Sequence, residues 1–243
     1  MTGSFAAATA RRVLQQLRHD PRTVVLMLVM PSILVGLLAW IFTDTTVFAQ
    51  VGPAMLGLFP FVLMFLVTSI TTLRERRSGT LERLLTMPVR RLDIILGYAL
   101  AFGLVAVAQA TIVSWFAVAV CGLDLGGPFW QLILVSVLDA VLGVSLGLLA
   151  SAFATTEFQV VQFMPLIVFP QILLGGIFVP RDQMPDVLEA VSDVLPLSHA
   201  VDALNHVSAG DPLWDAGGNI AVIVAWVLGS VICASLTLRR RTR

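Results

Sequence analysis

The chain has 243 residues, 58% of them hydrophobic and only 12% charged, with a formal net charge of zero. A soluble domain would carry roughly twice that share of charge, so the composition points to an integral membrane protein of several helices. All fifteen basic residues are arginine; a P-loop needs a lysine before its Ser or Thr, so the chain holds no P-loop ATPase site.

Before any spanning segment, residues 4–19 put Phe5, Val13, Leu14 and Leu17 roughly on one helical face and Arg11, Gln15 and Arg18 on the other. That pattern predicts an amphipathic helix lying in the membrane interface, ended by Asp20-Pro21. The apolar runs then predict six spans over 23–42, 53–73, 92–120, 131–153, 158–179 and 218–238, the length class needed to cross about 30 Å of hydrocarbon. No cleavable signal is expected, because the first run starts only near Thr23. Six spans put both termini on one side. Fourteen of the fifteen arginines, all but Arg181, then share that side, and the positive-inside rule makes the topology N-in, C-in. The acids Asp182, Asp186, Glu189, Asp193, Asp202, Asp211 and Asp215 fall in the last outer loop, and Trp40, Trp130 and Trp214 fall near outer ends.

Pro31, Pro60, Pro165 and Pro170 interrupt spans one, two and five. Proline within a membrane helix requires neighbours or a cavity to satisfy the freed carbonyls. In the outer segment 180–217, Val187, Leu188, Val191, Val194 and Leu195 recur at helical spacing, and Pro196 separates them from a second apolar-sided stretch, 197–207. Two short amphipathic helices capping the outer end are expected. Cys121 and Cys233 should lie at different depths, roughly 20 Å apart, and should not pair. The chain reads as one domain over 1–243, all-α.

Three patterns resemble chemical sites. Gly143-Val144-Ser145-Leu146-Gly147 matches GxSxG, but it lies inside an apolar span, and Gly143, Gly147 and Ser151 recur every four residues as in small-residue helix packing. His199, Asp202 and His206 share a helical face at metal-ligand spacing, on what reads as ordinary polar surface; no metal and no catalytic residue is expected. Asp139 stands among Leu, Val and Ala in span four, where a carboxylate is costly. A hydrogen bond to Ser136 or Gln109 is the expected remedy, and contact with a cationic substrate or proton the alternative.

The longest charged stretch between two spans is 74–91, with six arginines. Ser78-Gly79 should end the helix extending from span two, and Thr80 can cap a new one with Glu82 in its positive first turn. Leu81, Leu84 and Leu85 form an apolar edge and Pro88 stops the helix after about two turns. A helix so short is marginal in water and needs a surface or partner to hold it.

The run Glu75-Arg76-Arg77-Ser78-Gly79-Thr80-Leu81-Glu82-Arg83-Leu84-Leu85-Thr86-Met87-Pro88-Val89 resembles the signature of ABC type-2 transporter permeases, E-(R/K)-x-x-G-T-(L/M)-E-x-L-x-x-(T/S)-P-(V/I), which follows the second transmembrane helix. Gly175-Gly176-Ile177-Phe178-Val179-Pro180, Met184-Pro185 and Pro196-Leu197-Ser198-His199-Ala200 resemble the segment after span five, and within the family the chain is most similar to the daunorubicin-resistance type of drug-efflux permease. The resemblance implies a membrane subunit of an exporter in the plasma membrane, the inner membrane of a bacterium. It would pair with a second permease chain, as a homodimer or related heterodimer, and with two copies of a cytoplasmic ABC ATPase that bind ATP and Mg. It implies no cofactor on this chain, membrane lipids as further partners and no nucleic-acid partner. Arg74, Glu75, Arg76, Arg77, Gly79, Thr80, Leu81, Glu82, Arg83, Leu84 and Pro88 would couple to the ATPase through a cytoplasmic coupling helix. By the same analogy Phe65, Thr68, Asp139, Gln162, Met164 and Phe169 would line the path of a hydrophobic or amphiphilic compound, such as a drug, an antibiotic or a lipid-like molecule. The alternatives are export of a polysaccharide or glycolipid, and secondary transport through Asp139.

Overall fold

Asp20 separates the first two helices. Its carboxylate accepts from the Thr23 backbone N–H at 3.2 Å and from the Thr23 hydroxyl at 2.6 Å, and Pro21 stands at the first helical position, where its missing N–H costs nothing. In this computed structural model, which describes residues 2–43, 47–79 and 91–237, Asp20 therefore divides α1 (Thr2–Arg18) from α2 (Pro21–Ile41). There follow α3 (Val47–Arg77), α4 (Arg91–Ala119), α5 (Phe129–Phe153), α6 (Glu157–Leu174), a 3-10 turn (Arg181–Gln183), α7 (Asp186–Ser192), α8 (Pro196–Ala209) and α9 (Gly217–Thr237). Among the described residues there is no strand, and six helices, α2 to α6 and α9, are long and apolar enough to cross a membrane.

Small residues set the centre of the bundle. A Cβ placed on Gly143 would stand 2.4 Å from the Phe61 carbonyl oxygen, and one on Gly147 would stand 2.6 Å from that of Phe65. One placed on Gly57 would meet Asp139 Oδ2 at 3.0 Å. The pairs 57/139, 61/143 and 65/147 keep one constant offset, so α3 and α5 lie side by side in parallel, backbone nearly on backbone. The four-residue stripe of α5 is a packing seam, as small residues in membrane helices generally are.

Proline is accommodated by packing at one position. Pro31 cannot bond the carbonyl of Met27, four residues earlier; Gln109 of α4 donates its side-chain N–H to that oxygen at 2.7 Å. α1 does not simply float in the interface. Its Ala6, Ala10, Val13 and Leu17 are buried, together with Thr9, and a Cβ on Gly97 of α4 would lie 2.5 Å from Thr9. Phe5, expected on the apolar face, is 41% exposed.

At the far end α8 plugs the bundle rather than covering it, with Leu197, Ala200, Val201 and Leu204 fully buried, whereas α7 leaves Val187 and Val191 outside. Span five is shorter than the apolar run: α6 stops at Leu174, and Gly176 (φ +77°) turns the chain where other residues would be strained. Arg181 then bridges Asp193 and Asp202, pinning the turn and the end of α7 to α8.

Candidate functional site

At about 1.5 Å per residue, the 31 residues of α3 extend about 46 Å, well past a hydrocarbon core of about 30 Å. Its last turn carries Arg74, Glu75, Arg76 and Arg77, and three of these are committed to different neighbours. Arg74 pairs with Glu157, the first residue of α6, through two bonds, Nε to Oε1 at 2.8 Å and Nη2 to Oε2 at 2.9 Å. Arg76 donates to the carbonyl of Ser151 near the end of α5. Glu75 turns inward and is only 8% exposed.

Glu75 accepts from Arg12 of α1 at 3.2 Å on Oε1 and 2.8 Å on Oε2. It also accepts from the Tyr98 hydroxyl of α4, which itself receives an N–H from Arg12 at 3.0 Å. The guanidinium lies 5.9 Å from the centre of the Tyr98 ring. Burial alone would lower the Arg12 pKa, but the bonds to Glu75 and Tyr98 outweigh it and hold the guanidinium above its usual value. One carboxylate thus joins α1, α3 and α4, and the arginines on either side of it in sequence join α3 to α6 and α5. This end of α3 leads directly into the segment 80–90, which rejoins the bundle at the start of α4.

That segment begins at a helix stop. Ser78 and Gly79 donate backbone N–H groups to Arg74 and Arg76 at 2.9 and 3.4 Å, and Gly79 has φ +74°, a left-handed position suited to glycine. Thr80, Leu81, Glu82, Arg83, Leu84 and Pro88, the expected coupling helix, lie outside the described residues.

Among the expected path residues, Phe65 and Met164 share one apolar cluster, while Gln162 and Phe169 face outward. Phe65 and Thr68 are fully buried on α3, where α5 packs at Gly147, and Asp139 is fully buried against Gly57. Gln162 and Phe169 lie on the exposed side of α6 and Met164 is half-buried there. Asp139 makes neither expected hydrogen bond: Ser136 stands 3.5 Å from Ser114, and Gln109 is spent on Met27. Both carboxylate oxygens are buried without a partner among the described residues. His199, Asp202 and His206 also diverge. His199 lies 2.7 Å from Asn219 and 2.9 Å from the Asp193 carbonyl, Asp202 meets Arg181, and His206 meets Asp211 at 3.0 Å. Among the described residues no three such side chains could hold a metal ion.

The profile of the family described as "ABC-2 type transporter" matches residues 3–207. The chain belongs to the ABC-2 type transporter family. Its relatives include the "Probable multidrug ABC transporter permease YbhR" of Escherichia coli (strain K12), 28% identical over 179 residues, which cover 72% of this chain and 49% of that protein. The "Linearmycin resistance permease protein LnrN" of Bacillus subtilis (strain 168) is 29% identical over 168 residues, 68% of this chain and 43% of the relative. "Nodulation protein J" of Rhizobium meliloti (strain 1021) is 27% identical over 175 residues, 70% and 65%. The chain thus spans about half the length of these relatives.

As an ABC-2 membrane domain the chain is a multi-span membrane protein, and the motif of 75–89 lies within the matched region. Sequence reasoning missed Arg12, Tyr98, Ser151 and Glu157 as partners of that motif. Two signals were present. Tyr98 is the only tyrosine of the chain, set in an apolar run, and Arg12 breaks the sidedness of α1 by adjoining its buried face.

Proposed function

We propose that this chain is the membrane-spanning subunit of an ATP-driven exporter that moves a hydrophobic or amphiphilic compound out of the cell, with ATP hydrolysed by a separate nucleotide-binding subunit. The observation that carries the reading is the joint at the end of α3. A helix seated on a motor at 80–90 can act only through its attachments. Glu75 links that push to α1 and α4, while Arg74 and Arg76 link it to α6 and α5. Each attachment is a charge-assisted contact, more directional than apolar packing. Motor closure would therefore move several helices together rather than bend one loop.

In this reading both termini and the segment 74–91 face the cytoplasm, and two motor subunits bear ATP and Mg. A second permease chain, identical or related, covers the exposed side of α6, so that Gln162, Met164 and Phe169 meet the central path. The names of YbhR and LnrN, a multidrug permease and a linearmycin resistance permease, favour a drug-like or antibiotic cargo. The test is transport into inside-out vesicles carrying the chain and its cognate ATPase, with ethidium as probe. Uptake is expected to require hydrolysable ATP, and Gly79→Pro or Glu82→Ala should abolish it while the complex still assembles. Uptake driven equally well by a proton gradient without the ATPase would overturn the proposal.

One observation favours a second reading. Asp139 is a buried carboxylate without a hydrogen-bond partner among the described residues, the kind of group that carries protons in secondary transporters. Under the ATP-driven reading Asp139→Asn leaves ATP-dependent uptake intact. Under proton coupling the same substitution abolishes transport.

A further inference from the structure

Where α1 lies across α4, an open groove of about 640 Å³ remains beside the contact. Its floor and far wall are apolar, with Leu14 of α1 and the exposed Leu100 and Leu104 of α4, and the small Ala7 and Ala10 keep it open. Its rim is cationic. Arg11, Gln15 and Arg18 stand along the outer side of α1, the two arginines about 10 Å apart along the axis. No carboxylate lines the groove. Neighbouring Arg12 is consumed by Glu75 and Tyr98, but neither Arg11 nor Arg18 has an ion-pair partner among the described residues.

We infer that this groove binds an anionic phospholipid, its phosphate between Arg11 and Arg18 and one acyl chain along Leu100 and Leu104. The charge pattern selects this occupant. A second copy of the chain would have to bring acids to the two arginines, whereas the lipid supplies both an anionic head and a tail that continues into the hydrocarbon, where Leu100 and Leu104 already lie. Arginines near an anionic headgroup attract it strongly, and their apolar stems lie on the groove wall. The inference does not depend on how transport is powered. Its consequence is that the lipid fastens α1 to α4 on the face opposite the Glu75 joint, so that headgroup composition bears on how firmly α1 is held.

The experiment uses the full chain in phosphatidylcholine vesicles doped with phosphatidylglycerol that carries a diazirine in its acyl chain. Photolabelling is expected on peptides containing Leu14, Leu100 and Leu104. Unlabelled phosphatidylglycerol should compete, and phosphatidylcholine or inorganic phosphate should not. The Arg11→Gln/Arg18→Gln double variant should weaken labelling roughly fivefold per arginine, about twenty-five-fold in all at low salt. Equal labelling by a phosphatidylcholine analogue would overturn the inference, as would competition by inorganic phosphate or unchanged labelling of the double variant. Absent labelling together with a disulfide between copies of a Leu104→Cys variant would assign the face to a second copy instead. The competition is read on the unsubstituted chain, so it decides the matter even if the double variant fails to fold.

Discussion

Glu75→Ala is expected to uncouple the transporter: the assembled complex keeps its ATP hydrolysis but loses transport by about tenfold or more, the range of a coupling free energy of 1–3 kcal/mol. The substitution removes the acceptor of two Arg12 bonds and of the Tyr98 hydroxyl, leaving a guanidinium half inside the protein with no counter-charge. Breaking a buried pair in this one-sided way costs about 3–5 kcal/mol. The Arg12 side chain is 29% exposed, so water recovers part of that, and about 2–3 kcal/mol of stability should be lost. The double variant Arg12→Ala/Glu75→Ala should be less destabilised than the sum of its parts, because it leaves no orphaned charge. Thermal unfolding of the four proteins of this cycle measures the stability term, and ATPase and uptake assays on the same preparations measure the coupling term. Additive losses would show that Arg12 and Glu75 act independently, and intact transport in Glu75→Ala would show that the joint carries no force.

Gly143→Ala should be the most damaging single methyl group in the bundle. Its Cβ would sit 2.4 Å from the Phe61 carbonyl oxygen, with Phe61 Cα at 3.1 Å. These are backbone atoms, so no rotamer change relieves the clash and α3 must move away from α5. Overpacking of this kind costs about 1–3 kcal/mol, and here the shift would extend along the seam to Asp139 at Gly57 and to Phe65 at Gly147. Gly103→Ala is the control. Nothing lies within 4 Å of its would-be Cβ, so the alanine should be neutral or gain about 0.5–1 kcal/mol of helix stability. Thermal midpoints of the two variants in one detergent check this; equal midpoints would mean that the α3–α5 seam is looser than its geometry.

Much of this was legible in the chain because membrane constraints are severe. An apolar run must be a helix when no water can satisfy its backbone, so the six long helices, the Asp20-Pro21 break and the helix stop at Ser78-Gly79 followed from local chemistry. The spacing of Gly143, Gly147 and Ser151 likewise identified a packing face. Helix ends were less legible. α3 begins at Val47, ahead of the expected span at 53, and α6 ends at Leu174 because Gly176 turns, although the apolar composition runs on. The joint itself could not be read, since Arg12 lies 63 residues from Glu75 and 86 from Tyr98 and only the fold brings them together. The true bed of α1 was hidden for a similar reason: Gly97 and Ala101, which let it lie close to α4, look ordinary within an apolar run. The hydrogen bonds expected at Asp139 are not made: Gln109 directs an N–H to the carbonyl freed by Pro31, and Ser136 lies beside Ser114.

In the proposed function, the segment 74–91 is where an ATP-hydrolysing partner grips this chain. Cysteine cross-linking tests it most directly, with Cys121 and Cys233 first replaced by serine. Glu82→Cys is expected to form adducts with the ATPase subunit in membranes, in a yield that changes when ATP is trapped, while Asp186→Cys at the other end of the bundle forms none. Adducts at Asp186→Cys, or none at Glu82→Cys in a complex that still assembles, would show that the partner sits elsewhere.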